Sequence, residues 1–192
     1  MAAVPRSDHT HVLLLRGVNV GGRSTVRMAR LREIATAAGA PGVSTLLNSG
    51  NVLFRLDAPA GPDADAQARE IAHRVREALT AESGRDIVVL PASRAELDAA
   101  LALHTGLDFA GGEDKLTHLV LLDEPAPPDR AAALEALDAG EDRCAVDGRF
   151  VWIRYARASH SSVLTLDRVE RLTGTRGTAR NLPTVRRLAG IA

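Results

Sequence analysis

The apolar positions along the chain alternate between short continuous runs and longer stretches of helical period. Val12–Leu15, inside His11–Val18, is one such run and predicts a buried strand. From Val26 the apolar residues stand at Leu31, Ile34, Ala35 and Ala38, the i, i+3, i+4, i+7 spacing of one helix face. Ser24 or Thr25 is its expected N-cap and Gly39 its expected stop. Val43–Leu47 and Asn51–Leu56 read as strands of a hairpin turning at Asn48-Ser49-Gly50. After Pro59, Gly61 and Pro62, Asp63 opens a helix with Ile71, Val75 and Leu79 on one face, and Asp86–Leu90 reads as a strand. This βαββαβ order is the ferredoxin-like plan.

The second half reads as a variant of it. Ser93-Arg94-Ala95-Glu96 is a capping box opening a helix with Leu97 and Leu101. Leu116–Leu122 is a strand, and Pro127 and Pro128 precede a helix that Gly140 ends. Arg143–Val146 and Arg149–Tyr155 flank Asp147-Gly148, a hairpin signal. Thr165–Thr173 is helical up to Gly174, Thr175–Arg180 is a short strand and Pro183–Ala189 a last helix. The expected fold is α+β in two subdomains, a ferredoxin-like one over residues 1–91 and a related unit over 92–192. The halves share negligible sequence identity, so the expected repeat is one of topology alone.

Composition narrows the function classes. Lys plus Arg and Asp plus Glu are both 24, which excludes a uniformly basic nucleic-acid binder. The balance is local, however: residues 1–55 hold 7 basic and 2 acidic side chains, 108–147 hold 3 and 11, and 167–192 hold 6 and 2. No apolar run is long enough to span a membrane. Met1–Thr10 lacks the apolar core of a secretory leader, so a cytoplasmic location is expected. With Cys144 the single cysteine, an internal disulfide is impossible. The six histidines show no metal-ligand spacing, and neither metal nor organic cofactor is expected.

Three segments carry candidate chemistry. In Arg16-Gly17-Val18-Asn19-Val20-Gly21-Gly22-Arg23 a strand runs through a glycine loop to a helix start, which offers backbone N–H groups and guanidinium charge to an anion. It is neither a Walker A loop nor G-x-G-x-x-G. In the βαββαβ order the hairpin turn Asn48-Ser49-Gly50-Asn51 emerges at the same sheet edge, beside that loop. The expected ligand residues are therefore Arg16, Asn19, Gly21, Gly22 and Arg23 facing Asn48, Ser49, Gly50 and Asn51. The third segment, Thr178-Ala179-Arg180-Asn181, adds Arg180 and Asn181, with Asn181 also readable as an N-cap. Ser49 lacks the glycine spacing of a nucleophile elbow. An RNA platform is disfavoured, because Val12–Leu15 has no aromatic on which bases stack.

The LLLRGVNVGG stretch at Leu13–Gly22, the NSGNVLF stretch at Asn48–Phe54 and the closing TARNLPTV at Thr178–Val185 resemble a bacterial domain-of-unknown-function family. That family is marked by an LLRGINVGG loop, a QSGNVVF hairpin and a terminal TTRNWNTV. The resemblance covers nearly the whole chain and implies two α+β subdomains, one ferredoxin-like, with no established activity. This chain differs from the pattern at Arg23, Asn48, Val163 and Leu182, where the family commonly has Lys, Gln, Lys and Trp. The expectation is a protein binding a small anionic or phosphorylated ligand. Its alternatives are a cofactor-independent enzyme, or a nucleic-acid or protein interaction module using the basic terminal segments.

Overall fold

The computed structural model of the chain describes residues 8–19, 26–57 and 61–191. The chain divides into two compact units, Met1–Asp98 with Leu188–Ala192, and Ala99–Arg187. In the first unit β1 (His11–Leu15), α1 (Met28–Ala37), β2 (Ser44–Thr45), β3 (Asn51–Phe54), α2 (Pro62–Ser83) and β4 (Val89–Ser93) form a sheet of order β2-β3-β1-β4. All its pairings are antiparallel. This is the ferredoxin-like order. The helix α3 (Arg94–Thr105) follows β4 without a break.

The second unit repeats the arrangement. β5 (Thr117–Leu122), α4 (Pro128–Glu135), β6 (Arg143–Asp147), β7 (Phe150–Arg154), α5 (Leu166–Thr173) and β8 (Gly177–Asn181) give the order β6-β7-β5-β8, again wholly antiparallel. A last helix, α6 (Leu182–Leu188), follows β8 as α3 follows β4.

Each unit builds its core where sheet meets helices. Leu13, Leu15, Val52 and Phe54 pack with Leu31 and Ile34 of α1 and Ile71, Val75 and Leu79 of α2. Val120, Leu122, Val151 and Ile153 pack with Leu134 of α4 and Val169 of α5. Burying a Leu or Val side chain stabilises by about 1.5–3 kcal/mol, so these central strands anchor the fold. All five residues of β1 are buried, on both faces of the sheet, which accounts for their unbroken apolar run.

Several element ends differ from the sequence expectation for local reasons. β1 stops at Leu15 because Gly17 and Asn19 take left-handed backbone, with φ of 66° and 58°. β2 shrinks to two residues as Leu47 leaves the extended region at φ 59°. The fourth strand starts at Val89 rather than Asp86 and carries Pro91, which an edge strand tolerates. The N-cap position of α1 is Arg27, whose side chain makes no capping bond; Ser24 and Thr25, the expected caps, lie outside the described residues. Helix α4 ends at Glu135, well before Gly140; the Leu137 N–H bonds back to Leu134 O at 3.3 Å, and Gly140 serves the following loop by donating to Asp138 Oδ1.

The repeat extends to hydrogen-bond register. Leu15 N–H donates to Gly50 O at 2.8 Å, and Leu122 N–H donates to Arg149 O at 2.8 Å. One residue on, Arg16 N–H reaches Val88 O at 2.9 Å, and Asp123 N–H reaches Arg176 O at 2.8 Å. His11 stands opposite Ser93 and His118 opposite Asn181, and both of those partners cap the helix that follows. Arg16 and Asp123 thus hold the same place in their units, as do His11 and His118. No identity marks the repeat, because hydrogen-bond register constrains backbone rather than side chains.

Candidate functional site

The N-terminal ends of α1 and β3 and the C-terminal end of β1 meet at one edge of the first sheet. Asn19 ties this edge together. Its Oδ1 accepts the Val26 N–H at 2.9 Å, and its Nδ2 donates to Val26 O at 3.0 Å and to Asn48 O at 2.6 Å. One amide therefore closes the loop between β1 and α1 and clasps it to the hairpin turn. Asn suits the position because it tolerates left-handed backbone better than other non-glycine residues.

The turn is pinned from its other side. Asn51 is fully buried and donates from Nδ2 to Leu46 O at 2.9 Å and to Ser49 Oγ at 3.1 Å, while Leu46 N–H bonds to Asn51 O at 3.0 Å. A Cβ on Gly50 would lie 2.4 Å from Val18 Cγ2 and 2.7 Å from Leu15 Cβ, so glycine is what lets the two loops touch. Asn19 and Leu47 are the two non-glycine residues with positive φ among the described residues, and each stands in one of these facing loops. Such strain costs on the order of 1–3 kcal/mol per residue and persists only where surrounding structure enforces it.

The expected ligand residues divide accordingly. Arg16 and Ser49 are half-buried and Asn48 is exposed at this edge, while Asn19 and Asn51 use their amides to hold it. Gly21, Gly22 and Arg23 lie outside the described residues. Arg180 and Asn181 belong to the second unit. Arg180 donates to Thr178 Oγ1 and Ala179 O, and burial pulls its pKa down to about 10, which leaves it charged at neutral pH. Asn181 accepts from Thr184 N–H and Oγ1, capping α6.

The sequence reading missed Arg27 and Leu47. Arg27 is the exposed N-cap residue next to the clasped Val26, and Leu47 is 46% exposed beside Asn48. A leucine abutting Asn-Ser-Gly was the available signal for the second. Arg27 had none, because its place depends on where α1 starts.

Electrostatics single out this helix start. Among the described residues, α1 has neither a side-chain cap nor an acidic residue in its first turn. α2 has Asp63 and Asp65, α4 has Asp129, and α5 has Thr165 and Asp167. Ser93 and Glu96 cap α3, and Asn181 caps α6. Among the described residues, the partial positive charge of a helix N-terminus is answered by a side-chain cap or a first-turn acid in the other five helices and not in α1.

Elsewhere the chemistry is quieter. Burial, with Glu135 close by, pushes the Cys144 thiol up to about 11, far from thiolate reactivity. No group of three metal-ligating side chains occurs among the described residues. A cleft of about 150 Å³ in the second unit is lined by Glu141, Asp142, Arg157 and Ser162, whose Oγ donates to Asp142 Oδ2 at 2.5 Å. No helix among the described residues is long and apolar enough to cross a membrane.

Comparison with known proteins adds a family and a fold. The family described as "Protein of unknown function (DUF1697)" matches residues 9–152. Among solved structures, the conserved bacterial protein SP0830 from Streptococcus pneumoniae is similar at 21% identity, with a TM-score of 0.68 over 95% of this chain and 98% of that one. No curated protein matches the sequence.

Proposed function

We propose a ligand-binding role for this chain, which belongs to the DUF1697 family of proteins of unknown function. The ligand is a small anion, of the phosphate-ester or carboxylate kind, held at the edge where the β1–α1 loop meets the β2–β3 turn. The observation that supports this reading is the start of α1, which among the described residues has no side-chain cap and no acidic residue in its first turn. An anion there would take up the first-turn N–H groups and the dipole charge. Arg16 and Arg27 would add charge-assisted hydrogen bonds, Asn48 and Ser49 neutral ones. Asn19 and Asn51 position the loops without touching the ligand. The single, half-buried cysteine accords with a reducing, cytoplasmic setting.

The test is a thermal-shift screen with inorganic phosphate, sugar phosphates and nucleotides. A ligand at about 100 times its Kd stabilises by about 2.7 kcal/mol, roughly 5–10 °C for a chain of this size. Arg16→Ala should abolish the shift, read against the melting temperature of the same unliganded variant. No shift with any anion, or the same shift in Arg16→Ala, would sink the reading.

A further inference from the structure

The strand β6 is an outer strand, and its charges read the same from either end with the sign reversed: Arg143-Cys144-Ala145-Val146-Asp147. Within the sheet it pairs with β7 alone, and its residues are exposed at both ends and half-buried between. The bond from Leu122 N–H to Arg149 O fixes which β7 residues face β5, so Phe150, Trp152 and Arg154 turn their backbone to Asp147, Ala145 and Arg143. Cys144 and Val146 therefore direct their N–H and C=O groups outward. Glu135, the exposed last residue of α4, takes up one of these groups: its Oε1 accepts the Val146 N–H at 2.7 Å. The other outer strands offer less. β2 has two residues, β4 turns Pro91 outward, and β8, with its Gly177 N–H held by Glu170 Oε1 at 2.7 Å, has no such charge symmetry.

We propose that β6 is a self-pairing edge, that its partner is a second copy of this chain, and that Glu135 is the latch that holds the edge shut. Two β6 strands laid antiparallel about Ala145 set Arg143 of each copy directly opposite Asp147 of the other, whereas parallel strands would set like charges side by side. Both side chains are exposed, and the Arg143 guanidinium donates to the Gly140 and Asp142 carbonyls, which leave its charge unneutralised. In the same register Cys144 faces Val146 of the second copy. These are the residues whose backbone points outward, so each such pair exchanges both of its N–H to C=O bonds and the two sheets become one. Charge complementarity and backbone direction thus select one alignment. The Val146 donor that this alignment needs is the one Glu135 occupies.

The experiment is sedimentation velocity of the full chain over a concentration series. Glu135→Ala should tighten self-association about tenfold or more over the native chain, because a Val146 donor is freed in each copy. Glu135→Gln keeps an acceptor oxygen and should associate as the native chain does. Adding Asp147→Arg to Glu135→Ala should undo the gain, and adding Arg143→Asp to that pair should restore it, since the exchanged charges meet again across the join. Glu135→Ser, which is too short to reach the strand, serves should the alanine variant misfold. No gain in the latch variants, or a gain that Asp147→Arg leaves intact, would overturn the proposal.

Discussion

The two units present the same sheet edge in two different ways. In the first, the crossover from β1 to α1 occupies residues 16–27 and the hairpin turn residues 46–50. In the second, residues 123–127 and 148–149 suffice for the same connections. Equivalent backbone bonds fix both edges, so the fold itself needs only the shorter version. The longer version adds Asn19, Leu47 and Gly50, the strained or crowded positions, and among the described residues gives α1 no side-chain cap. The shorter one begins with Asp123-Glu124 where the longer has Arg16-Gly17, and it starts α4 with Pro128 and Asp129. One edge does no more than close the chain, and the other spends more residues than closure requires, the kind of loop on which function is commonly carried.

The sharpest test of this contrast compares two turn glycines. Gly50→Ala puts a Cβ into Val18 and Leu15 at φ 72°, and should cost about 2–4 kcal/mol from overpacking and left-handed strain together. Gly148→Ala, at φ 56° with nothing within 4 Å, should cost only about 1–2 kcal/mol. Urea unfolding of both variants measures the difference, and equal costs would mean that the loops of the first edge do not press together as described.

Next in size is the clasp. Asn19→Ala removes three hydrogen bonds at a half-buried site and should destabilise by about 1–2 kcal/mol. Asn19→Gly keeps the left-handed backbone but not the bonds. If both variants lose the same amount, the hydrogen bonds rather than the backbone conformation make Asn19 necessary. Amide hydrogen exchange at Val26 should quicken in both.

The smallest effect concerns His11 and His118, which share a register position. Burial is the main cause lowering the pKa of each; Asp65, 3.4 Å from Nε2, opposes it at His11, and a backbone bond to Leu116 opposes it at His118. Folding thus favours the neutral ring. The stability this gives is complete above the unfolded value of about 6.5 and is lost as pH falls below it, because the unfolded chain then binds more protons. Urea midpoints should decline from pH 7 to pH 5. His118→Gln should flatten that decline more than His11→Gln, since only His11 has a carboxylate beside it. The reverse order would mean that Asp65 does little for His11.

Much of this was open to a reader of the sequence. The apolar run Val12–Leu15, the helix face from Leu31 to Ala38 and the Ser93–Glu96 capping box each follow from local spacing, and the βαββαβ order follows from them. The neighbourhood of the β1–α1 loop and the Asn48–Asn51 turn followed in turn from that order. The roles inside the site did not. Asn19 and Asn51 look like ligand donors by residue type, yet their amides are occupied by carbonyls up to 29 residues away. Leu47 reads as the last residue of a strand until its backbone angle is known.

The sequence by itself determined the element order, the antiparallel hairpins and the sheet edge at which polar glycine loops collect, because periodicity, caps and turn residues act over a few positions. Only the tertiary structure decided that the second half repeats the strand order and edge register of the first, that α1 has no side-chain cap among the described residues, and which polar side chains of the edge are structural. Those are questions of which donor meets which acceptor across the fold. A hydrogen bond between distant residues leaves no periodic trace in the chain that makes it.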